Sequence, residues 1–166
     1  LEEPVEGDPQ LPGEATIMAQ AAKASGSPIA LLSHVPMQPI FDGKVEDEII
    51  AYTFDQAMKT GDYEWPLLLP MVKSAVRAMD AVQELAKDEW DLQIDNFTVT
   101  GASKRGWTTW LTGAVDPRAN AIAPIVIDVL NMDVQMAHQL ETWGEYSEQV
   151  QDYTERGIQS KAKTEA

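Results

Sequence analysis

The residues best placed to do chemistry lie in the stretch Val99-Thr100-Gly101-Ala102-Ser103-Lys104-Arg105-Gly106-Trp107. A serine hydroxyl becomes a nucleophile only when a base takes its proton and donors meet the charge formed on the attacked oxygen. The flanking pattern suits that task. Phe97-Thr98-Val99-Thr100 is rich in β-branched residues and predicts a buried strand. Trp107, Trp110, Leu111 and Ala114 recur at spacings of three and four and predict a helix. Ser103 therefore falls at a strand-to-helix corner, the setting of a nucleophile elbow. The Lys104 amide falls at the helix N-terminus, where it can face a developing oxyanion.

The pattern departs from G-x-S-x-G, because Arg105 takes the second glycine place and Gly106 follows one residue late. Three readings stay open at this point. The first is a hydrolase elbow. The second is a phosphate loop: Gly101 and Gly106 have the G-x-x-x-x-G spacing, but Trp107 stands where the lysine belongs. The third is a serine N-cap on an ordinary βα unit.

An elbow serine needs an acid and a histidine. Ala121 to Ile127 predicts another buried strand, interrupted by Pro124, and Asp128 follows it. In a parallel sheet, adjacent strand ends bring Asp128 towards Ser103, where it can orient a histidine. The alternative is a loop aspartate that caps the helix near Asn131 to Asp133. Only His34 and His138 exist. A hydrolase elbow runs serine, acid, histidine in chain order. His34 precedes the serine, so it is expected to line a pocket or bond a backbone carbonyl. His138 follows within a helical segment. No H-x-x-x-H occurs, Glu46-Asp47-Glu48 lacks calcium-loop spacing, and no metal or cofactor is expected. That acidic run reads as a solvated helix start. Trp65, Trp107, Trp110 and Trp143 either line a cleft or, at helical spacing, belong to the core.

The surrounding elements follow from punctuation and period. Residues 1–13 carry three prolines and two glycines and read as an extended arm or linker. Residues 14–25 are alanine-rich and helical, ending at Gly26. Ile29-Ala30-Leu31-Leu32 predicts a buried strand over 29–34, and Val35-Pro36-Met37-Gln38-Pro39 predicts a loop. A helix runs from Glu46 to about Lys59, broken at Gly61-Asp62. The clearest helix is 66–88, with Leu68, Val72, Val76, Met79, Val82 and Ala86 on one stripe. Residues 133–166 are polar, with Met136, Leu140, Trp143 and Tyr146 at helical spacing, and read as a helical cap or surface segment with a frayed tail. Helices alternating with strands predict an α/β sheet with crossover helices over 14–132.

Composition bounds the partners. The chain has 166 residues, a net charge of −15 and no cysteine. It is long enough for one domain with a core. The charge disfavours nucleic acid and anionic membrane surfaces. Disulfides and thiolate metal sites are excluded. No apolar run reaches the about 18 residues of a membrane span, and no signal peptide opens the chain.

The phrases V-P-M-Q-P, D-G-K-x-x-E-D-E-I-I-A-Y-T-F-D, T-G-D-Y-E-W-P-L-L-L-P-M, V-T-G-A-S-K-R-G-W-T-T-W-L-T and A-I-A-P-I-V-I-D-V-L-N-M occur in order. They closely resemble the PhoPQ-activated pathogenicity-related family. The elbow is also similar to that of glucuronoyl esterases, which use G-x-S-R-x-G. The resemblance implies an α/β-hydrolase fold of which this chain holds a part, lacking the N-terminal and C-terminal strands of the complete fold. It implies a secreted or periplasmic location, and a parent protein whose remaining segments complete the sheet. The implied function is hydrolysis of an ester or amide in a small-molecule or ester substrate. Ser103 would be the nucleophile, Asp128 the acid, the Lys104 amide an oxyanion donor, and Arg105 and Trp107 substrate contacts. The alternative is a non-catalytic secreted binding or signalling module on the same fold.

Overall fold

The computed structural model describes residues 13–161. Its sheet has two strands. Strand β1 (Thr98–Ala102) pairs in parallel with β2 (Ala121–Ile125), in a register running from Thr98 opposite Ala121 to Ala102 opposite Ile125. Parallel neighbours need a crossover. Helix α4 (Lys104–Val115) supplies it and packs on both strands. Gly113 permits the close approach: a Cβ there would lie 2.6 Å from Ile122 Cγ2. Side chains alternate along each strand. Val99, Gly101, Ile122 and Pro124 are half-buried, and Ile122 lies against α4; Thr98, Thr100, Ala102, Ala121, Ala123 and Ile125 are exposed.

Two long helices precede β1. Helix α2 (Glu46–Thr60) ends at Gly61, whose φ of 71° closes the left-handed C-cap that a β-carbon would disfavour. Helix α3 (Leu68–Trp90) starts two residues after the expected position, with Pro70 in its first turn, where a missing N–H costs nothing. Leu68, Met71, Val72, Met79 and Ala86 form its buried stripe. The core joins Ile50, Leu68 and Met71, with Phe54, Trp107, Leu111 and Tyr153 packed around them. Thr53, fully buried, ties α2 to the start of α3: its hydroxyl donates to the Ile50 carbonyl (2.8 Å) and accepts from the Leu67 amide (3.2 Å).

After β2 come α5 (Met132–Trp143), a 3-10 turn (Glu148–Val150), α6 (Gln151–Thr154) and α7 (Ile158–Lys161). Met136 is buried, whereas Leu140 and Trp143 are exposed, so the stripe expected here covers little.

The chain divides into two compact units, Leu1–Ser33 and His34–Ala166. The first contains helix α1 (Gly13–Ser25), closed by Gly26, whose amide donates to the Ala22 carbonyl (2.9 Å). The strand expected over 29–34 is absent. An apolar run becomes a strand only when a neighbour takes its backbone bonds, and β1 and β2 pair solely with each other among the described residues. Most of the arm expected at 1–13, and the tail at 162–166, lie outside the described residues. The chain is thus mixed α/β with a two-stranded parallel sheet.

Candidate functional site

Ser103 sits between β1 and α4 with φ 53° and ψ −125°, a conformation costly to a residue with a β-carbon. Backbone bonds hold it there. Its amide donates to the Ile125 carbonyl (3.0 Å), extending the ladder past β1, and its carbonyl accepts from the Trp107 amide (3.0 Å). The side chain is exposed and makes no capping hydrogen bond, so the N-cap reading does not describe it.

Two glycines make this corner possible. A Cβ on Gly101 would stand 2.7 Å from the Arg105 carbonyl oxygen. A Cβ on Gly106 would stand 2.4 Å from Ile127 Cγ2 and 3.0 Å from the Gly101 carbonyl oxygen. The late glycine is therefore the position where α4 crosses the end of β2. Arg105, in the usual glycine place, is exposed and uncrowded. Val126 follows β2 with φ 50° and is 81% exposed. A β-branched residue in that region is a rare outlier. Two strained residues thus lie at the carboxyl ends of two adjacent strands.

Of the carboxylates opening α2, Glu46 reaches this corner and the other two pair elsewhere, which corrects the expectation of a solvated helix start. Glu46 forms an ion pair with the Lys104 ammonium and a second with Arg105 (3.3 Å). Gln38 bonds Glu46 twice: its amide nitrogen donates to the carboxylate, and its carbonyl accepts from the Glu46 amide (2.9 Å). Asp47 accepts from the Tyr153 hydroxyl (3.2 Å), and Glu48 pairs with Lys44 and Arg156, each at 3.3 Å. Burial pushes the Asp47 carboxyl up, and the Tyr153 bond opposes that shift.

Lys104 is 1% exposed, and burial, then the Arg105 charge, pushes its ammonium down to about 8. Its side chain therefore anchors α4. Arg105 is spent on Glu46. Trp107 stacks against Phe54 (5.5 Å between ring centroids) and Tyr153 (6.5 Å) and packs on the core. Of the two expected substrate contacts, Arg105 is thus exposed and paired with Glu46, and Trp107 is half-buried against the core.

Asp128 lies three residues beyond β2 and is exposed. Its carboxylate accepts from the Leu130 amide (3.3 Å) and from Gln135 Nε2 (3.1 Å). It thus bonds a backbone amide in the loop before α5 and a side chain within that helix, whose N-cap, Asn131, has no side-chain cap bond. His34, at φ 58°, lines a cavity of about 160 Å³ with Val35, Met37, Leu67 and Met71, as a pocket residue would. His138 Nδ1 lies 3.4 Å from Thr142 Oγ1 on its own helix. Ser103 does occupy a strand-to-helix corner, and none of the hydrogen bonds found at Asp128 or His138 runs to it. Among the described residues, no cluster of three His, Asp or Glu could hold a metal.

Sequence reasoning missed Glu46 and Gln38. The signal was present: Lys104 is the first helical residue of a corner whose floor must bury it, and a buried cation needs an anion.

Comparison with known proteins places these features. The profile of the PhoPQ-activated pathogenicity-related protein family matches residues 4–166. Autocrine proliferation repressor protein A of Dictyostelium discoideum is 47% identical over 141 residues. The match covers 81% of this chain and 28% of that relative, so the chain spans less than a third of the relative's length. No solved structure matches the chain. The relative is named as an autocrine proliferation repressor, and this overturns the expectation of an ester- or amide-cleaving serine hydrolase. A profile that runs over nearly the whole sequence, together with this identity, shows that the chain belongs to the PhoPQ-activated pathogenicity-related protein family.

Proposed function

We propose that this chain is part of an exported, non-catalytic signalling protein that restrains growth by binding another protein. The observation that carries this is the 47% identity to a relative named as an autocrine proliferation repressor. The binding surface is the carboxyl-terminal edge of the sheet. Backbone strain persists where function requires it, and Ser103 and Val126 are strained side by side. The chain from the end of β2 into α5 exposes apolar side chains: Ile125 (51%), Val126 (81%), Leu130 (71%) and Val134 (58%). Exposed apolar side chains of this size favour a protein partner. The parallel strands, crossover helix and Ser103 corner fit a hydrolase-type scaffold used for binding, since a fold does not dictate turnover.

The test is growth of the producing cells after addition of the purified full-length protein. The wild type is expected to slow growth. Ser103→Ala should slow it equally, because no hydroxyl chemistry is needed. Val126→Asp and Leu130→Asp should abolish the effect while the protein stays folded; aspartate tolerates the left-handed backbone at 126 better than valine. An inactive Ser103→Ala beside active Val126→Asp and Leu130→Asp variants would overturn the binding reading.

A further inference from the structure

We propose that Asn96 is the attachment site of an N-linked oligosaccharide. The inference rests on the exported role proposed above, because the transfer occurs in a secretory compartment. Asn96-Phe97-Thr98 has the N-x-T form that oligosaccharide transfer requires. Asn120 and Asn131, the other asparagines, have Ile122 and Asp133 two residues on and lack the acceptor hydroxyl.

A sequon in a buried strand carries nothing, so its placement decides. Asn96 and Thr98 are both exposed, at the amino end of β1. The backbone around them is pinned. Gln83 Nε2 donates to the Ile94 carbonyl (2.6 Å), and the Phe97 amide donates to the Arg118 carbonyl (2.7 Å). The Asn96 side-chain amide makes no hydrogen bond among the described residues, so conjugation breaks none. The Thr98 hydroxyl is likewise uncommitted, unlike that of Thr100, which donates to the Ala123 carbonyl (2.6 Å).

In the transfer, Asn96 Nδ2 bonds to the anomeric carbon of a lipid-pyrophosphate-linked oligosaccharide. The bond from that carbon to the pyrophosphate oxygen breaks, the pyrophosphate leaves with the electron pair, and the amide loses one proton. The product is neutral at Asn96. At about 3.3 Å of rise per residue, Asn96 stands roughly 20 Å from Ser103, at the opposite end of β1. A glycan there leaves the Ser103–Val126 surface open and adds bulk at the amino end of the sheet.

The experiment expresses the full-length protein in a eukaryotic secretory host and compares medium with cell lysate, before and after peptide N-glycosidase. The expected result is secreted protein whose mass falls on digestion, with Asp in place of Asn at 96 in the digested peptide. Asn96→Gln and Thr98→Ala should abolish the shift, while Thr98→Ser, which keeps a hydroxyl, should retain it. Thr98→Ala leaves Asn96 intact and guards against a folding defect at 96. Secreted protein with an unmodified Asn96 overturns this inference and leaves the proposed function standing. Protein confined to the cytosol and unmodified overturns both.

Discussion

Gly106 is the residue on which the Ser103 corner turns. The structural demand is for a missing side chain where α4 crosses β2, and the chain meets it at 106. Gly106→Ala would force its methyl against Ile127 Cγ2 and the Gly101 carbonyl. Backbone cannot yield as a flexible side chain can. The expected loss is about 1–3 kcal/mol, in line with overpacked sites, seen as a lower midpoint in urea denaturation with an unchanged slope. An alanine variant as stable as the wild type would mean that the corner relaxes freely. At the same scale, Asp128 shows how one position supports two readings: a place beyond a strand end suits a triad acid, and its bonds within this chain run to the Leu130 amide and the Gln135 side chain.

Between elements, the decisive contact joins the first turn of α4 to the first turn of α2. Lys104 is buried and Glu46 is half-exposed, so the pair holds one desolvated cation against an anion still in water. The folded ammonium titrates near 8 against 10.5 in the free side chain. Between those values the unfolded chain binds more protons than the folded one, so stability rises as pH climbs from about 8 to 10.5. Lys104→Met keeps the volume and removes the charge. It is expected to flatten that rise and to leave stability at pH 7 unchanged or higher by about 1 kcal/mol, as for apolar replacements of buried ions. Denaturation across pH 7 to 11 checks both. A variant that still gains stability over that range would place the titration elsewhere. The α6 segment is held in a related way, to α2 by the Tyr153 hydroxyl on Asp47 and to α4 by the Tyr153 ring against Trp107.

The net charge of −15 belongs to the whole molecule and shapes how it meets a partner. Like charges repel acidic surfaces and speed encounter with basic ones, and salt screens both effects. If the protein binds a basic partner surface, its association rate is expected to fall several-fold between low and physiological salt, with a smaller change in dissociation. Equal association rates at the two salt concentrations would leave the apolar edge around Val126 as the sole driver. The chain itself matches 28% of the length of its Dictyostelium discoideum relative.

Local pattern by itself determined where the helices and both strands lie, and that Ser103 occupies a corner between them. The physical reason is range: a 3.6-residue apolar period, an alternating β-branched run and a glycine stop act over neighbours in sequence. The family, too, was legible from ordered phrases. Tertiary structure decided what the side chains at that corner do. Glu46 meets Lys104 and Arg105 only because α2 and α4 pack, and no local spacing predicts a pairing across such a separation. The run at 29–32 has strand composition but no strand partner, since hydrogen bonding between strands is a property of the pair. Likewise Trp107 has the spacing of either a cleft or a core residue, and only the packed helices bring its ring against Phe54 and Tyr153.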